Sequence, residues 1–291
     1  MKKYFISVVC LMCGVMFVAA VAEAQDSDMK KHEEQWKQLN AEVMKALDEG
    51  HYQYGTPIAE KAYLYAVKYF GKIHRNTLTS MNNLGALYEL QGRYGEAEPL
   101  YTEAMRLCEK VLGKEHSYTL SSINNLAMLY YSQGRYREAE PLLKDVCQLH
   151  ERVLGKEHSD TLISINNLAA LYRSQGRYGE AEPLYKEALK MSEKVLGKEH
   201  PDTLISVHNL ADLYKSQGRY GEAEPLYKEA LKLSEKVLGK EHPGTLQSIN
   251  NIATLYLSQK RYREAEPLLI KALQLREKVL GKEHPDILQS M

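Results

Sequence analysis

Histidine is the first residue type whose placement invites chemistry. His74, His116, His158, His200, His242 and His284 recur every 42 residues, the last five each closing a Gly-Lys-Glu-His run. One histidine per repeat cannot converge on a metal ion, because packed helices lie about 10 Å apart and metal–ligand bonds span only about 2 Å. Loop packing or helix capping is the expected role. Cys147 and His150 stand one helical turn apart, a spacing open to a nucleophile and its base. Yet Cys147 fills the column held by Met105, Leu189, Leu231 and Leu273, which marks it as a small buried hydrophobe. The Gly-Lys-Glu-His runs lack the Ser/Thr and the glycine spacing of a phosphate loop, and His32-Glu33 has no second histidine for a zinc helix. The chain therefore carries no enzyme signature. It predicts no metal site and no cofactor.

Charge removes another class of function. The 291 residues hold 38 basic and 38 acidic side chains. A nucleic-acid partner would require a basic excess to track phosphates, so none is expected. There are 21 Tyr against 3 Phe and 1 Trp. Tyrosine buries a ring while its hydroxyl reaches water, which suits a thin core with much surface.

The elements that position these residues follow from the period. Asn-Asn or a close relative recurs at 82–83, 124–125, 166–167, 208–209 (as His-Asn) and 250–251. Residues 82–291 thus read as five repeats of 42 residues, and 40–81 as a divergent first repeat, after a lead-in helix over 25–39. Each repeat reads as two helices. Leu162, Ile165, Ala169 and Tyr172 fall on one helix face, and Tyr178, Ala181, Tyr185, Ala188 and Val195 on another. Thr161 is the expected N-cap of the first helix, and Gly176 its stop. Pro183 recurs in all six repeats and is expected either to bend the second helix or to mark a later start for it. Wide apolar faces mean that no hairpin satisfies itself, so hairpins must stack.

The stretch N-L-A-A-L-Y-R-S-Q-G-R-Y-G-E-A-E-P-L-Y, Asn167 to Tyr185, resembles the tetratricopeptide repeat. The 42-residue period and the tail E-K-V-L-G-K-E-H-P-D-T, Glu193 to Thr203, resemble the kinesin-light-chain variety of that repeat. The resemblance covers 40–291 and implies an all-α solenoid of helical hairpins wound as a right-handed superhelix. It also implies a concave groove along the first helices, in which a ladder of asparagines bonds the backbone of an extended peptide. Here those asparagines are Asn83, Asn125, Asn167, Asn209 and Asn251, and an amide suits the task because it donates and accepts. Variation between repeats gathers on the same helices, in columns such as Ala86, Met128, Ala170, Asp212, Thr254 and Thr79, Ser121, Ile163, Ile205, Gln247, which share a stripe with the asparagines and with Leu90, Ser132, Ser174, Ser216, Ser258. The peptide-binding set expected from the resemblance is thus the five asparagines with Met128, Ala170, Asp212, Ser132, Ser174 and Ser216. The asparagines have a second expected role, bonding the neighbouring repeat. The column one turn before them holds no Lys, which departs from carboxylate-clamp grooves. The expected function is a non-enzymatic scaffold for a peptide or protein segment. The alternative is an assembly spacer that self-associates end to end.

Both ends of the chain carry further expectations. At 285–291 a seventh first helix begins and stops before its Asn-Asn, leaving Leu268, Leu269 and Leu273 without a following neighbour. Self-association through 264–291 is expected from that face. At the start, Lys2 and Lys3 precede an uncharged apolar run from Tyr4 to Val21, then Ala22-Glu23-Ala24. This reads as a leader over 1–24 cleaved after Ala24, or as a membrane anchor over 4–22 if cleavage fails. Export to the periplasm, cell surface or medium is the expectation, a location unlike that of a cytoplasmic motor subunit. N-terminal sequencing of the protein secreted from an expressing cell should then begin Gln25-Asp26-Ser27. A full-length chain held in the membrane fraction would favour the anchor.

Overall fold

The structure is a computed structural model that describes residues 28–280, with side chains described through Arg276. The expected leader and the closing residues 281–291 lie outside the described residues. Among those described, there are twelve helices and no strand: α1 (28–48), α2 (Tyr52–Phe70), α3 (Arg75–Leu90), α4 (Tyr94–Leu112), α5 (Ser117–Ser132), α6 (Tyr136–Leu154), α7 (Ser159–Ser174), α8 (Tyr178–Val195), α9 (Pro201–Ser216), α10 (Tyr220–Val237), α11 (Pro243–Ser258) and α12 (Tyr262–Leu280). The expected lead-in helix and the opening of the first repeat are one continuous helix, α1. In the folded frame each repeat therefore begins about seven residues before its Asn-Asn, with a first helix that contains the pair.

Packing divides the chain into two compact units, Met1–Leu129 and Tyr130–Met291, with the division inside α5. In the first unit α2 packs on α3 and α3 on α4; in the second, each helix from α6 to α12 packs on the next. This is the all-α hairpin stack that the period requires. The first unit buries Leu78, Met81, Ala104, Leu107 and Cys108 together, with Tyr63 against them. In the second unit Ala169, Ala181 and Ala188 are fully buried, as are Tyr185 and Tyr227. Small alanines let the two helices of a hairpin approach, and the tyrosine rings fill the space beside them.

Helix starts are set by histidine rather than threonine. Nδ1 of His74, His158, His200 and His242 accepts the N–H two residues on, at 3.2, 3.2, 3.2 and 3.0 Å. Thr161, the expected cap, instead turns its hydroxyl back to the Gly155 carbonyl at 2.8 Å. Thr77, Thr119, Thr203 and Thr245 do the same to Gly71, Gly113, Gly197 and Gly239. Each loop is thus closed twice, by a ring nitrogen and by a hydroxyl. The glycine that opens it, such as Gly197 at φ +86°, takes a backbone conformation that a Cβ would strain. Pro183 lies inside α8, which begins at Tyr178. The later start for the second helix is therefore not the one observed.

Consecutive repeats are also tied by charge. The Arg177 guanidinium stacks on Tyr172 at 4.2 Å and forks onto Glu180, with both N–O distances 2.7 Å. Its remaining arm reaches Glu140 of the preceding hairpin at 2.7 Å. Arg219 repeats this with Tyr214, Glu222 and Glu182, and Arg261 with Tyr256, Glu264 and Glu224. Lys144, Lys186 and Lys228 supply a second cation to Glu140, Glu182 and Glu224.

Hydrogen bonds from these arginines, then from the lysines, hold the Glu140, Glu182 and Glu224 carboxyls down to about 2. In the unfolded chain a glutamate titrates near about 4.3. A depressed folded value means the stabilisation is fully present above the unfolded value and is lost as pH falls through the folded one. The urea midpoint should therefore hold from neutral pH to about 5 and fall steeply between about 4.3 and 2. Glu182→Gln should lower the midpoint at pH 7 and flatten that descent. An unchanged descent would show that the Arg219–Glu182 tie does not contribute.

Candidate functional site

The stripe implied by the resemblance is the accessible face of the first helices. On α9, Ile205, Asn209, Asp212 and Ser216 are spaced 4, 3 and 4 and share one side, while Leu204, Val207 and Leu213 face the core. Ile205 is 55% exposed, Asn209 and Asp212 are half-buried, and Ser216 is exposed. On α7 the same places hold Ile163, Asn167, Ala170 and Ser174, and on α11 they hold Gln247, Asn251, Thr254 and Ser258. In the first unit Asn83 lies half-buried on α3, and Asn125 and Met128 half-buried on α5, the helix that ends at exposed Ser132. Every residue of the expected set thus lies on a first helix and none on a second.

The asparagines also bond between repeats. Asn83 Nδ2 donates to Asn40 Oδ1 at 2.9 Å, and Asn209 Nδ2 to Asn166 Oδ1 at 3.4 Å. Asn251 Nδ2 donates to His208 Nδ1 at 3.2 Å, and its own Oδ1 accepts from Gln247 Nε2 at 2.8 Å. The first residue of each Asn-Asn pair completes the tie. Asn82 and Asn166 each donate to a serine of the next first helix, Ser122 and Ser206, at 3.4 Å. His208, which replaces asparagine once, bonds Ser248 through Nε2 at 2.9 Å, and burial pushes its pKa down. The ladder is therefore a joint between hairpins as well as a polar floor to the stripe.

One cluster on this face was not anticipated. Arg173 on α7 reaches Asp212 on α9 at 3.4 Å, and the Tyr227 hydroxyl donates to the same carboxylate. Tyr131 and Ser174 join hydroxyls at 2.8 Å beside them. Tyr185, the counterpart of Tyr227 one repeat earlier, has its hydroxyl fully buried with no hydrogen-bond partner. The reason is local: where α9 offers Asp212, α7 has Ala170. The sequence did hold a signal, since Asp212 is the only acid in its column and Arg173 the only arginine in its own. Opposite charges one repeat apart, offset by three residues, are in reach across a stack.

The other candidate chemistry is not assembled. Cys147 is half-buried with burial pushing its thiol up, and His150 is buried, its pKa pushed down by the same cause. Both neutral forms are favoured, the reverse of an activated nucleophile pair. Among the described residues no three His, Cys, Asp or Glu side chains are placed to hold a metal, and no helix is long and apolar enough to cross a membrane.

The tetratricopeptide repeat family matches residues 56–110, 76–152, 118–194, 160–236, 207–278 and 247–291. The chain is a tetratricopeptide repeat protein. A Podosopora anserina protein of kinesin-light-chain type, with nearly identical TPR-like repeats, is 31% identical over 71% of this chain and 98% of that one, with TM-score 0.59. BtubC (BKLC) from P. vanneervenii is 21% identical over 87% of this chain and 94% of that one, with TM-score 0.59. NprR in complex with its cognate peptide NprX is 16% identical over 94% of this chain and 82% of that one, with TM-score 0.61. No curated protein matches the chain. A pair of second-helix variants tests the cluster around Asp212. Tyr227→Phe should lower stability by about 1.5–3 kcal/mol, the range for a hydrogen bond to a charged group. Tyr185→Phe removes an unpartnered buried hydroxyl and should leave the urea midpoint equal or higher. Equal losses in both would contradict the bonding described.

Proposed function

We propose that this protein is a non-catalytic interaction scaffold that holds a peptide, or an extended segment of another protein, along its first helices. The observation that carries the reading is the distribution of change between repeats. Residues 176–204 and 218–246 differ only at Met191/Leu233 and Asp202/Gly244, whereas the first-helix column Ala86, Met128, Ala170, Asp212, Thr254 and its neighbour Glu89, Tyr131, Arg173, Lys215, Leu257 change at nearly every repeat. A scaffold repeats what must pack. A recognition surface varies where a ligand with a unique sequence would be read. The varied column is also accessible: Met128, Ala170 and Asp212 are half-buried, beside the constant and exposed Ser132, Ser174 and Ser216. An extended strand meeting this face would find amide groups at each repeat for its backbone and a different side chain beside each amide. NprR, of the same fold, is a protein crystallised with a peptide, which makes the mode physically accessible to such a stack. We further propose export, on the strength of the apolar run and Ala22-Glu23-Ala24.

The test is selection of a displayed random-peptide library on the purified protein. Peptides should be enriched, and retention should fall about tenfold or more when Ser174→Trp and Ser216→Trp fill the stripe, each lost contact of about 1.4 kcal/mol being a factor of ten. Asn125, Asn167 and Asn209 changed together to Ala should also abolish retention. Because Asn209 also bonds Asn166, circular dichroism and the thermal midpoint must accompany that variant. Retention that survives both sets of changes in a folded protein would refute the groove.

A further inference from the structure

The last hairpin departs from the repeats just before it at two positions that would meet a following repeat, and keeps a third. Ile270 stands where Lys144, Lys186 and Lys228 pair with glutamates in the three repeats before it. Arg276 stands where Ser192 and Ser234 are buried against Ser206 and Ser248. Glu266 stands where Glu140, Glu182 and Glu224 each receive an arginine from the next hairpin. Among the described residues, neither Glu266 nor Arg276 has an ion-pair partner. A charge in place of a buried serine opposes the docking of another repeat in the usual way. An isoleucine in place of lysine favours cover of some other kind.

These residues form one stripe. Glu266, Leu269, Ile270, Leu273 and Arg276 follow at steps of 3, 1, 3 and 3, which keeps them on a single face of α12. Leu269 is 38% and Ile270 49% exposed, and together with Ala272, Leu273, Arg276 and Asn250 they line a groove. The stripe is apolar in its middle, acidic at one end and basic at the other. Its charged ends lie equally far from residue 271, five residues on either side and about 15 Å apart along the helix. Such a stripe is complementary to itself when turned end for end. A two-fold axis near residue 271 would set apolar middle on apolar middle and bring each Glu266 to the partner's Arg276.

Head-to-tail stacking of copies does not compete. On α1, the first described helix, Gln38, Glu42 and Lys45 are exposed. The same places on α3 are the buried Ser80, Leu84 and Leu87, and on α9 the buried Ser206, Leu210 and Leu213. Charged residues in the contact columns give α1 a solvent face, as a capping helix requires.

We propose that two copies of this chain pair antiparallel through α12, with Glu266 of each against Arg276 of the other and Leu269, Ile270 and Leu273 between. This contact is separate from the peptide stripe, so the two readings fail independently. A single helix pair is small beside stable interfaces of about 1,600 Å², so the dimer is weak and reversible.

Sedimentation of the isolated chain from about 1 µM to about 1 mM covers the range in which weak contacts half-saturate. The wild type should pass from monomer to dimer and stop there. Glu266→Arg and Arg276→Glu should each raise the dissociation constant about tenfold or more, through like charges set together. The double swap should restore pairing, and so should an equimolar mixture of the two single variants, which can form only one matched heterodimer. Unchanged circular dichroism and thermal midpoints establish that the variants fold. A wild type that stays monomeric throughout would overturn the proposal. So would growth beyond a dimer, or a dimer indifferent to both reversals.

Discussion

Everything in this molecule depends on the inability of one helical hairpin to bury itself. First helices of 16 residues and second helices of 18 or 19 carry apolar positions on more than the side that meets their own partner. Ala169 packs within its hairpin, but Leu168 and Ile165, also buried, extend the apolar face past it. Burial of such residues is worth about 25 cal/mol per Å² of apolar surface, and among the described residues no loop is long enough to supply the cover. Only another hairpin can do so. The period and the near identity of α8 and α10 follow from that requirement.

Polar groups then fix the register that apolar stacking leaves loose. A hydrophobic face alone would tolerate sliding by a turn. Arg177, Arg219 and Arg261 each engage a ring, a carboxylate of their own helix and a carboxylate of the hairpin before, and no other offset serves all three. The Asn-Asn pairs act at the same joints from the other side: Asn166 is shared by Ser206 and Asn209, and His208 by Ser248 and Asn251. The same amides that would serve a peptide backbone are thus already engaged in holding the floor beneath it. Under the proposed function, the ladder positions a ligand partly by keeping consecutive first helices at a constant spacing.

The fold was legible in the sequence because its information is local and repeated. Six copies of one pattern average away the ambiguity of any single helix, and the histidine columns could be set aside for metals by spacing alone. The details that were not legible are those decided by geometry across the stack. Thr161 was expected to cap α7, since threonine is a common cap and histidine a rare one, yet His158 sits one turn back where Nδ1 meets the Asp160 N–H. The Arg219–Glu182 tie spans 37 residues, five short of the period, so it falls outside both a helix-turn search and a column comparison. The Arg173–Asp212 contact is hidden likewise, by an offset of three within the period.

The first and last described helices depart from the repeated pattern in different ways. At α1 the contact columns turn polar, which gives that helix a solvent face. At α12 the columns turn partly apolar and partly charged, with Ile270 for lysine and Arg276 for serine. If inertness were the only requirement, Ile270 would be the wrong residue, because lysine was already present in that column and would have kept the end solvated. If a further repeat were to dock in the ordinary way, Arg276 would be wrong, since its charge would replace a serine buried at 1–2% exposure in the earlier joints. Both departures are consistent with one occupant only if it brings an apolar surface and a carboxylate at a fixed separation. Within this chain, Glu266 and the leucines of the same helix meet that description.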